Sequence, residues 1–409
     1  METREASGKI AFPRTAVLAS FGAAALLSAS CTPVGPGPRF YQTAPDELPG
    51  KPGSLIRSEP INGAPAGARA YRILYRSTDR DGRAISVSGL ALVPSSPAPA
   101  AGRPIVSWAH PTVGVIPRCA PSRSPFRFMM IPGLARMLKQ GFVVVATDYE
   151  VRTGNVQAFL DGTSEGHSVL DAARAAAALP AAHTRTDVAL WGHSQGGQAV
   201  LFAAEQAGRY APELKIVGVA AAAPATDLAA LLKQDLGTDG GNNLAALALW
   251  SWSHTYGADY SAIIDPSAQA PIEAIAQTCI DSLFKSPAKK RATQSLRLHF
   301  LSVPDIASQM PWKAIIAANS AGLVPSHIPV FLAQGTADEI VYPQITYSYM
   351  GKLCDAGSKV HLESLPGVAH GLTAMKSADA TINWFSSRLA GDAPPNGCGG
   401  AQESFTSAK

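Results

Sequence analysis

The chain has 409 residues, of which 46% are hydrophobic and 16% charged, and it contains 36 glycines and 32 prolines. This composition excludes a generally disordered chain and fits one large globular domain with an insertion. The formal net charge is only +4, and the one short basic run, at 285–294, is typical of a solvated helix face. We therefore expect no nucleic-acid partner.

The N-terminus resembles an export signal. Lys9 and Arg14 precede an apolar stretch at 15–30 that is too short to span a bilayer. We predict a signal peptide over 1–30 and an exported protein that is secreted, periplasmic or an outer-surface lipoprotein. Two readings of Cys31 stay open: ordinary cleavage after Ser30, or a degenerate lipobox whose lipidated cysteine would anchor the chain to a membrane.

The other cysteines are expected to lie in an oxidising compartment. They are Cys119, Cys279, Cys354 and Cys398. An even number favours two disulfides, for which three pairings are open. The sequence has no CxxC and no cluster of histidines and cysteines, so we predict no metal site.

Regular structure is expected from about residue 70, after a segment at 31–53 that is rich in proline and glycine. Segments 71–78 and 84–94 flank the turn sequence "DRDG" and alternate apolar with polar residues, which predicts an antiparallel hairpin at the edge of a sheet. Apolar runs at 103–110, 141–149, 186–194 and 214–224 then alternate with helical segments such as 168–182. This order predicts a mostly parallel sheet with helices on both faces.

The pattern changes over 225–325, which contains helical segments and no convincing strand. The sheet resumes at 328–335 and 358–367, and a final helix covers 373–390. We therefore predict an α/β core at 54–224 and 326–393, a helical cap at 225–325 and a tail at 394–409. The cap is either a functional lid or a layer that packs on the sheet. Four of its apolar residues either shield a ligand or form ordinary core: Leu249, Trp250, Trp252 and Leu283.

Two serines match the G-x-S-x-G pattern of a hydrolase nucleophile. Ser194 follows a buried strand, has flanking glycines and precedes a helix, which is the arrangement that a nucleophile elbow needs. Ser164 lacks the strand and is expected in the loop and N-cap region of the 168–182 helix. We therefore predict Ser194 as the nucleophile.

The base and the acid are expected on loops that follow later strands. His370 lies on a glycine-flanked loop after the last strand, while the other histidines that follow Ser194 lie in the cap or beside and within strands. Asp338 lies just beyond a strand end, with Glu339 as the alternative acid. The sequence therefore predicts a Ser194, Asp338 and His370 triad.

Stabilisation of a tetrahedral oxyanion needs two N–H donors near the nucleophile. Gln195, at the start of the helix behind Ser194, is predicted to supply one. The other should come from the loop after the 103–110 strand. Pro111 has no N–H to donate, so Thr112 is the second candidate, and His110 is expected to support the loop.

Six segments together resemble the secretory lipase family, the lipase-A-like branch of the α/β-hydrolases. They are "SWAHPTVGVIPRCAPS", "VVATDYE", "GTSEGHSVLDAARAA", "LWGHSQGGQAV", "QGTADEIV" and "GVAHG". The resemblance covers most of residues 50–390. It implies an α/β-hydrolase fold, the triad named above, no catalytic part for Ser164 and a lid over an acyl-binding pocket. It also implies disulfides between Cys119 and Cys279 and between Cys354 and Cys398.

The chain departs from the family at two places. Pro111 stands where many members have glycine after histidine, and "DYEVRTGN" replaces a Gly-Leu-Gly that tends to follow the Asp-Tyr pair. The shape of the oxyanion loop and the entrance to the pocket are therefore not carried over.

We expect a carboxylic ester hydrolase (lipase or esterase) that acts on small-molecule or lipid esters without a cofactor or a protein partner. Two alternative functions remain open. A serine peptidase of the same fold would use an equal triad but usually carries a propeller or acidic residues for the peptide N-terminus. A non-catalytic binding lipoprotein has no need of a strained nucleophile elbow.

Overall fold

The computed structural model describes residues 38–152, 155–280 and 287–399. The predicted signal peptide, Cys31, Leu283 and the end of the predicted tail lie outside the described residues. Eleven strands are described: β1 Leu55–Ile61, β2 Ala68–Thr78, β3 Ala84–Pro94, β4 Arg103–Ala109, β5 Val143–Thr147, β6 Val151–Arg152, β7 Val156–Gln157, β8 Thr184–His193, β9 Lys215–Ala222, β10 Val330–Gly335 and β11 Val360–Leu365. Ten α-helices accompany them: α1 Leu134–Lys139, α2 Gly162–Ala177, α3 Gln195–Tyr210, α4 Leu228–Asp235, α5 Asp239–Thr255, α6 Gln269–Ala276, α7 Pro287–Leu298, α8 Trp312–Ala318, α9 Pro343–Asp355 and α10 Thr373–Ala390.

Nine strands form one sheet in the order β1-β2-β3-β5-β4-β8-β9-β10-β11, and β6 pairs with β7 separately. Strands β4, β5, β8, β9, β10 and β11 pair in parallel, while β1, β2 and β3 form an antiparallel end that joins β5. The predicted mostly parallel sheet is confirmed. Strand β8 lies near its centre, which places the residue after His193 at the carboxyl edge of a buried strand.

The predicted hairpin is confirmed as β2 and β3. Eleven pairs of residues join the two strands, from Ala68 opposite Pro94 to Thr78 opposite Ala84. Its position at the sheet edge is wrong, because β1 pairs outside β2 and regular structure begins at Leu55. Pro60 lies within β1 and weakens the strand pattern there. Proline cannot donate to a ladder, so its presence fits an edge strand.

Helices cover both faces of the sheet. One face packs against α2, α3 and α9, and the other against α1 and α10, in two separate hydrophobic clusters. Helix α2 begins earlier than predicted because the carboxylate of Asp161 accepts a hydrogen bond from the N–H of Ser164 and caps the helix. Helix α10 has the bounds that the sequence predicted.

The described part of the segment between β9 and β10 is helical, as predicted; it contains α4 to α8 and an isolated bridge between Ile264 and Leu301. Its apolar side chains form a hydrophobic cluster that is separate from the two on the faces of the sheet. Val113, Val156 and Phe159, from the sheet's carboxyl edge, belong to the same cluster. Helix α7 contains residues 287–294 of the basic run and exposes most of them to solvent. Among the described residues, no helix has the length and apolar character needed to cross a membrane.

Two disulfides tie distant parts of the chain together. Cys119 pairs with Cys279, and Cys354 pairs with Cys398, which confirms the pairing that the resemblance implied. The first joins the loop after β4 to the cap. The second holds the C-terminal segment against β11, where the N–H of Gly397 donates to the carbonyl oxygen of Val360 at 2.7 Å.

Candidate active site

Ser194 occupies a sharp turn between β8 and α3. Its backbone has φ 58° and ψ −117°, a conformation that costs about 1–3 kcal/mol for a residue with a side chain. The turn is held by β9, because the N–H of Ser194 donates to the carbonyl oxygen of Ala222 at 2.9 Å. The strain therefore persists in a position where surrounding structure fixes it.

Two glycines allow this turn to pack closely. A Cβ added at Gly192 would overlap the backbone of Gly196, and a Cβ added at Gly196 would overlap the carbonyl group of Ala109 in β4. Real Cβ atoms do not approach backbone atoms so closely. The glycines that marked the elbow in the sequence are thus required by contacts across the turn and with the neighbouring strand.

The structure brings Ser194, Asp338 and His370 together. His370 Nε2 lies 2.9 Å from Ser194 Oγ, and His370 Nδ1 lies 2.8 Å from Asp338 Oδ2. A carboxylate only accepts hydrogen bonds, so Nδ1 carries the proton and Nε2 is left to accept from the serine hydroxyl. Ser194 and His370 are 176 positions apart in the sequence. They meet because each follows the carboxyl end of a strand in one parallel sheet.

Asp338 is buried and held by its own loop. Its Oδ1 accepts backbone N–H bonds from Ile340 and Val341, each at 2.9 Å, and Gln334 Nε2 lies 3.2 Å from Oδ2. Burial raises the pKa of the carboxyl, but the hydrogen bonds from His370 and the two backbone amides outweigh burial and lower it overall. Asp338 is therefore ionised at neutral pH. The alternative acid, Glu339, is exposed.

His193 is a site residue that the sequence analysis missed, because only histidines after Ser194 were weighed. Its Nε2–H donates to the carbonyl oxygen of His370 at 3.0 Å, and the two rings lie 4.9 Å apart. Burial, followed by the proximity of His370, lowers the pKa of His193 to about 3. A neutral His193 thus fixes the backbone of His370 without adding charge. Its signal in the sequence is its place directly before Ser194.

The two residues predicted to supply the oxyanion donors line one cavity together with Ser194. The N–H of Gln195 is the first of α3 and has no partner within the helix. Thr112 lines the same cavities as Ser194. His110 is buried, its Nδ1 lies 2.7 Å from the carbonyl oxygen of Pro111, and its own carbonyl accepts from the Tyr149 hydroxyl. It supports the loop, as expected.

A second buried carboxyl lies beneath the elbow. Glu165 Oε1 accepts from Gln195 Nε2 at 2.6 Å and from the backbone N–H of Leu160 at 2.9 Å. Burial, the largest cause, raises the pKa of Glu165 well above its usual value. Glu165 therefore positions Gln195, the residue carrying one of the predicted oxyanion N–H groups, through the Gln195 side chain. The position of Glu165 in the second G-x-S-x-G match does not indicate from the sequence that it contacts Gln195.

Ser164, the other pattern match, is buried in the first turn of α2. Its hydroxyl donates to Glu150, and its N–H donates to Asp161. No histidine contacts it among the bonds of the described residues. The placement near the N-terminus of the helix agrees with the prediction.

Two cavities meet at Ser194 and Thr112. We call the first the cap cavity: it is mainly apolar and is lined largely by residues of α4 and α5, leucines among them, with Trp252 and Asp235. The second, the His370 cavity, is also mainly apolar; it is lined by His370, Gly371 and cap residues that include a few polar ones such as Asn243. Of the cap residues weighed as ligand shields, Trp252 lines the cap cavity, while Leu249 and Trp250 are buried in the cap core.

Within the described part of the chain, no group of three or more histidine, cysteine, aspartate or glutamate side chains is placed to hold a metal ion. The site contains the groups for nucleophilic and acid–base chemistry described above.

A family model described as secretory lipase matches residues 129–397. The chain is 27% identical to Lipase A of Arthroderma benhamiae over 399 residues, which is 89% of this chain and 80% of that protein. It is 26% identical to a protein of Mycobacterium tuberculosis named probable inactive lipase, over 83% of this chain and 79% of the relative. The family description supports the export predicted from the N-terminus.

Solved structures share the fold. Candida antarctica lipase A superposes with a TM-score of 0.73 at 20% identity, over 88% of this chain and 87% of the other. The esterase LipA of Xanthomonas oryzae, described as degrading rice cell walls, gives a TM-score of 0.64 at 18% identity, over 84% of this chain and all of the other. The α/β-hydrolase fold predicted from the sequence is therefore confirmed.

Proposed function

The chain belongs to the secretory lipase family and is a carboxylic ester hydrolase, and from that premise we propose that Ser194, His370 and Asp338 form its catalytic triad. The observation that carries the proposal is the continuous pair of contacts, 2.9 Å from Ser194 Oγ to His370 Nε2 and 2.8 Å from His370 Nδ1 to Asp338. A relative named as inactive makes this geometry the point to test.

The reaction proceeds in two halves. Ser194 Oγ attacks the ester carbonyl carbon while His370 Nε2 takes the hydroxyl proton; the C–O bond to the alcohol then breaks, and His370 returns the proton to the leaving oxygen. Water next attacks the acyl-enzyme, with His370 taking its proton and returning it to Ser194 Oγ. Asp338 stays ionised throughout, holding the imidazole tautomer and stabilising the imidazolium.

The developing oxyanion is stabilised by the N–H groups of Gln195 and Thr112. The Gln195 N–H lies at the positive end of α3, and the Gln195 side chain donates a hydrogen bond to Glu165. Pro111 has no N–H, so the second donor is assigned to the residue after it. Removal of one such donor typically costs about 10²–10³-fold in kcat.

The two cavities take the two parts of the ester. His370 must deliver a proton to the leaving alcohol, so the His370 cavity takes the alcohol. The cap cavity, lined by leucines of α4 and α5, takes the acyl chain. Helices α4 and α5 therefore act as a lid over the acyl group, and the substrates are esters with an apolar acyl chain, lipid esters included.

The experiment compares p-nitrophenyl esters from acetate to palmitate with a peptide p-nitroanilide. Wild type is expected to hydrolyse the esters and not the anilide, and Ser194→Ala to lose about 10⁴-fold or more in kcat. Ser164→Ala, which alters the other G-x-S-x-G serine, is the matched control and should retain activity. Anilide cleavage would favour the peptidase, and folded protein without ester turnover would sink the proposal.

Membrane attachment depends on Cys31. Cleavage before Cys31 with lipidation of its thiol would anchor the enzyme to a membrane, whereas an unmodified Cys31 would leave it secreted or periplasmic. The intact mass of the mature protein distinguishes a diacylglyceryl-modified cysteine from a free one.

A further inference from the structure

One carboxylic acid residue lines the mainly apolar cap cavity. Asp235 is the last residue of α4, its exposed fraction is 6%, and it lines the cavity together with Ser194. Leu231, Leu232 and Leu236 line the same wall. Asp235 therefore lines the space that receives the acyl chain in the proposed function.

The carboxyl group of Asp235 has no protein partner among the described residues. Its Oδ1 is fully buried and has no hydrogen-bond partner. Buried polar atoms in proteins are nearly always bonded, and the C-terminal end of a helix adds an unfavourable field for a carboxylate. Burial, followed by the charge of Asp338, raises the pKa of Asp235 to about 7. Near neutral pH the group can therefore either accept or donate a hydrogen bond.

A leucine would suit this wall better if the cavity took only hydrocarbon, since it would cost no desolvation. A hydroxyl group is the matching ligand, because it can donate to the carboxylate and accept from the protonated acid. Resting on the proposed function, we propose that Asp235 is a specificity-determining residue that selects esters whose acyl chain carries a hydroxyl group. The selection involves a hydrogen bond only and leaves the chemical steps at Ser194 unchanged.

The test uses p-nitrophenyl decanoate and its isomers that carry one hydroxyl at successive carbons of the acyl chain. For each isomer, the measured quantity is kcat/KM divided by that for decanoate. In wild type this ratio should exceed that of Asp235→Leu by about tenfold for the isomers whose hydroxyl reaches the carboxyl, because a buried hydrogen bond contributes about 1 kcal/mol or somewhat more. Asp235→Ala should show the same loss of selectivity, which guards against a packing defect in the leucine variant.

Asp239→Ala is the matched control, because Asp239 begins the next helix with its side chain 57% exposed and does not line the cavity. Its ratios should equal those of wild type. Decanoate turnover with equal ratios in wild type, Asp235→Leu and Asp235→Ala at every position would overturn this inference alone. Absence of decanoate turnover in folded wild type would overturn the proposed function and this inference with it.

Discussion

Glu165 links the stability of the fold to the nucleophile elbow. It is fully buried, and Oε1 alone accepts two hydrogen bonds, one from the backbone of Leu160 and one from the side chain of Gln195. Replacement by alanine leaves both donors without an acceptor, the Gln195 amide fully buried and the Leu160 N–H partly buried. Each such donor costs about 1–3 kcal/mol, so we expect Glu165→Ala to lower the free energy of unfolding by about 2–6 kcal/mol.

Glu165→Gln separates the hydrogen bonds from the charge. Because burial raises the pKa of Glu165 well above its usual value, we expect the native group to be protonated near neutral pH. Glutamine keeps the carbonyl acceptor and the shape, so its cost should stay below about 1 kcal/mol. The same reasoning extends to catalysis: Glu165→Ala loosens Gln195 and should lower kcat by about ten- to a hundredfold, less than the full loss of an oxyanion donor.

Urea denaturation at neutral pH measures the free energies, and p-nitrophenyl butyrate hydrolysis measures kcat. Glu273→Ala, at an exposed glutamate on α6, is the control and should change stability by less than about 0.5 kcal/mol. If Glu165→Gln proved as damaging as Glu165→Ala, the native group would be ionised and the reasoning refuted. A Glu165→Ala variant as stable as the control would refute it as well.

Three further changes have defined outcomes. Gly196→Ala should abolish activity or folding, because its Cβ overlaps β4, whereas Gly208→Ala in the same helix meets nothing within 4 Å and should gain about 0.5–1 kcal/mol by thermal melting. Replacing Cys119 and Cys279 by serine opens a loop of 160 residues and should cost about 2–5 kcal/mol in denaturant titrations, with a drop in activity that serines at the other disulfide do not cause. Burial and a neighbouring carboxylate raise the pKa of Asp235 from 3.8 to about 7. Between these two pH values the folded state holds a proton that the unfolded chain releases, so the free energy of unfolding falls as pH rises from about 4 to about 7. Asp235→Asn should therefore match wild type below about pH 4 and exceed it above neutrality by up to about 4 kcal/mol, and equal melting curves at both pH values would contradict this.

Local sequence patterns predicted the strands, most helices and the meeting of Ser194, Asp338 and His370, because a parallel sheet brings loops after its strands to one edge. They failed where the information is non-local. Strand β1 was missed because Pro60 breaks its pattern, and it forms only by pairing with β2. The support of Gln195 from thirty residues upstream depends on how α2 packs beside α3, which no single segment encodes.

The nucleophile and the base of the site follow strands of unequal stability. Ser194 follows the central strand β8, whereas His370 follows β11, the outermost strand. Edge strands open locally at lower free energy than central ones, so hydrogen exchange should be faster in β11 than in β8. The segment around Gly397, fixed by its disulfide, covers this edge and slows such opening. Heat or reduction should therefore inactivate the enzyme through transient separation of the histidine, while the elbow and most of the sheet are still folded.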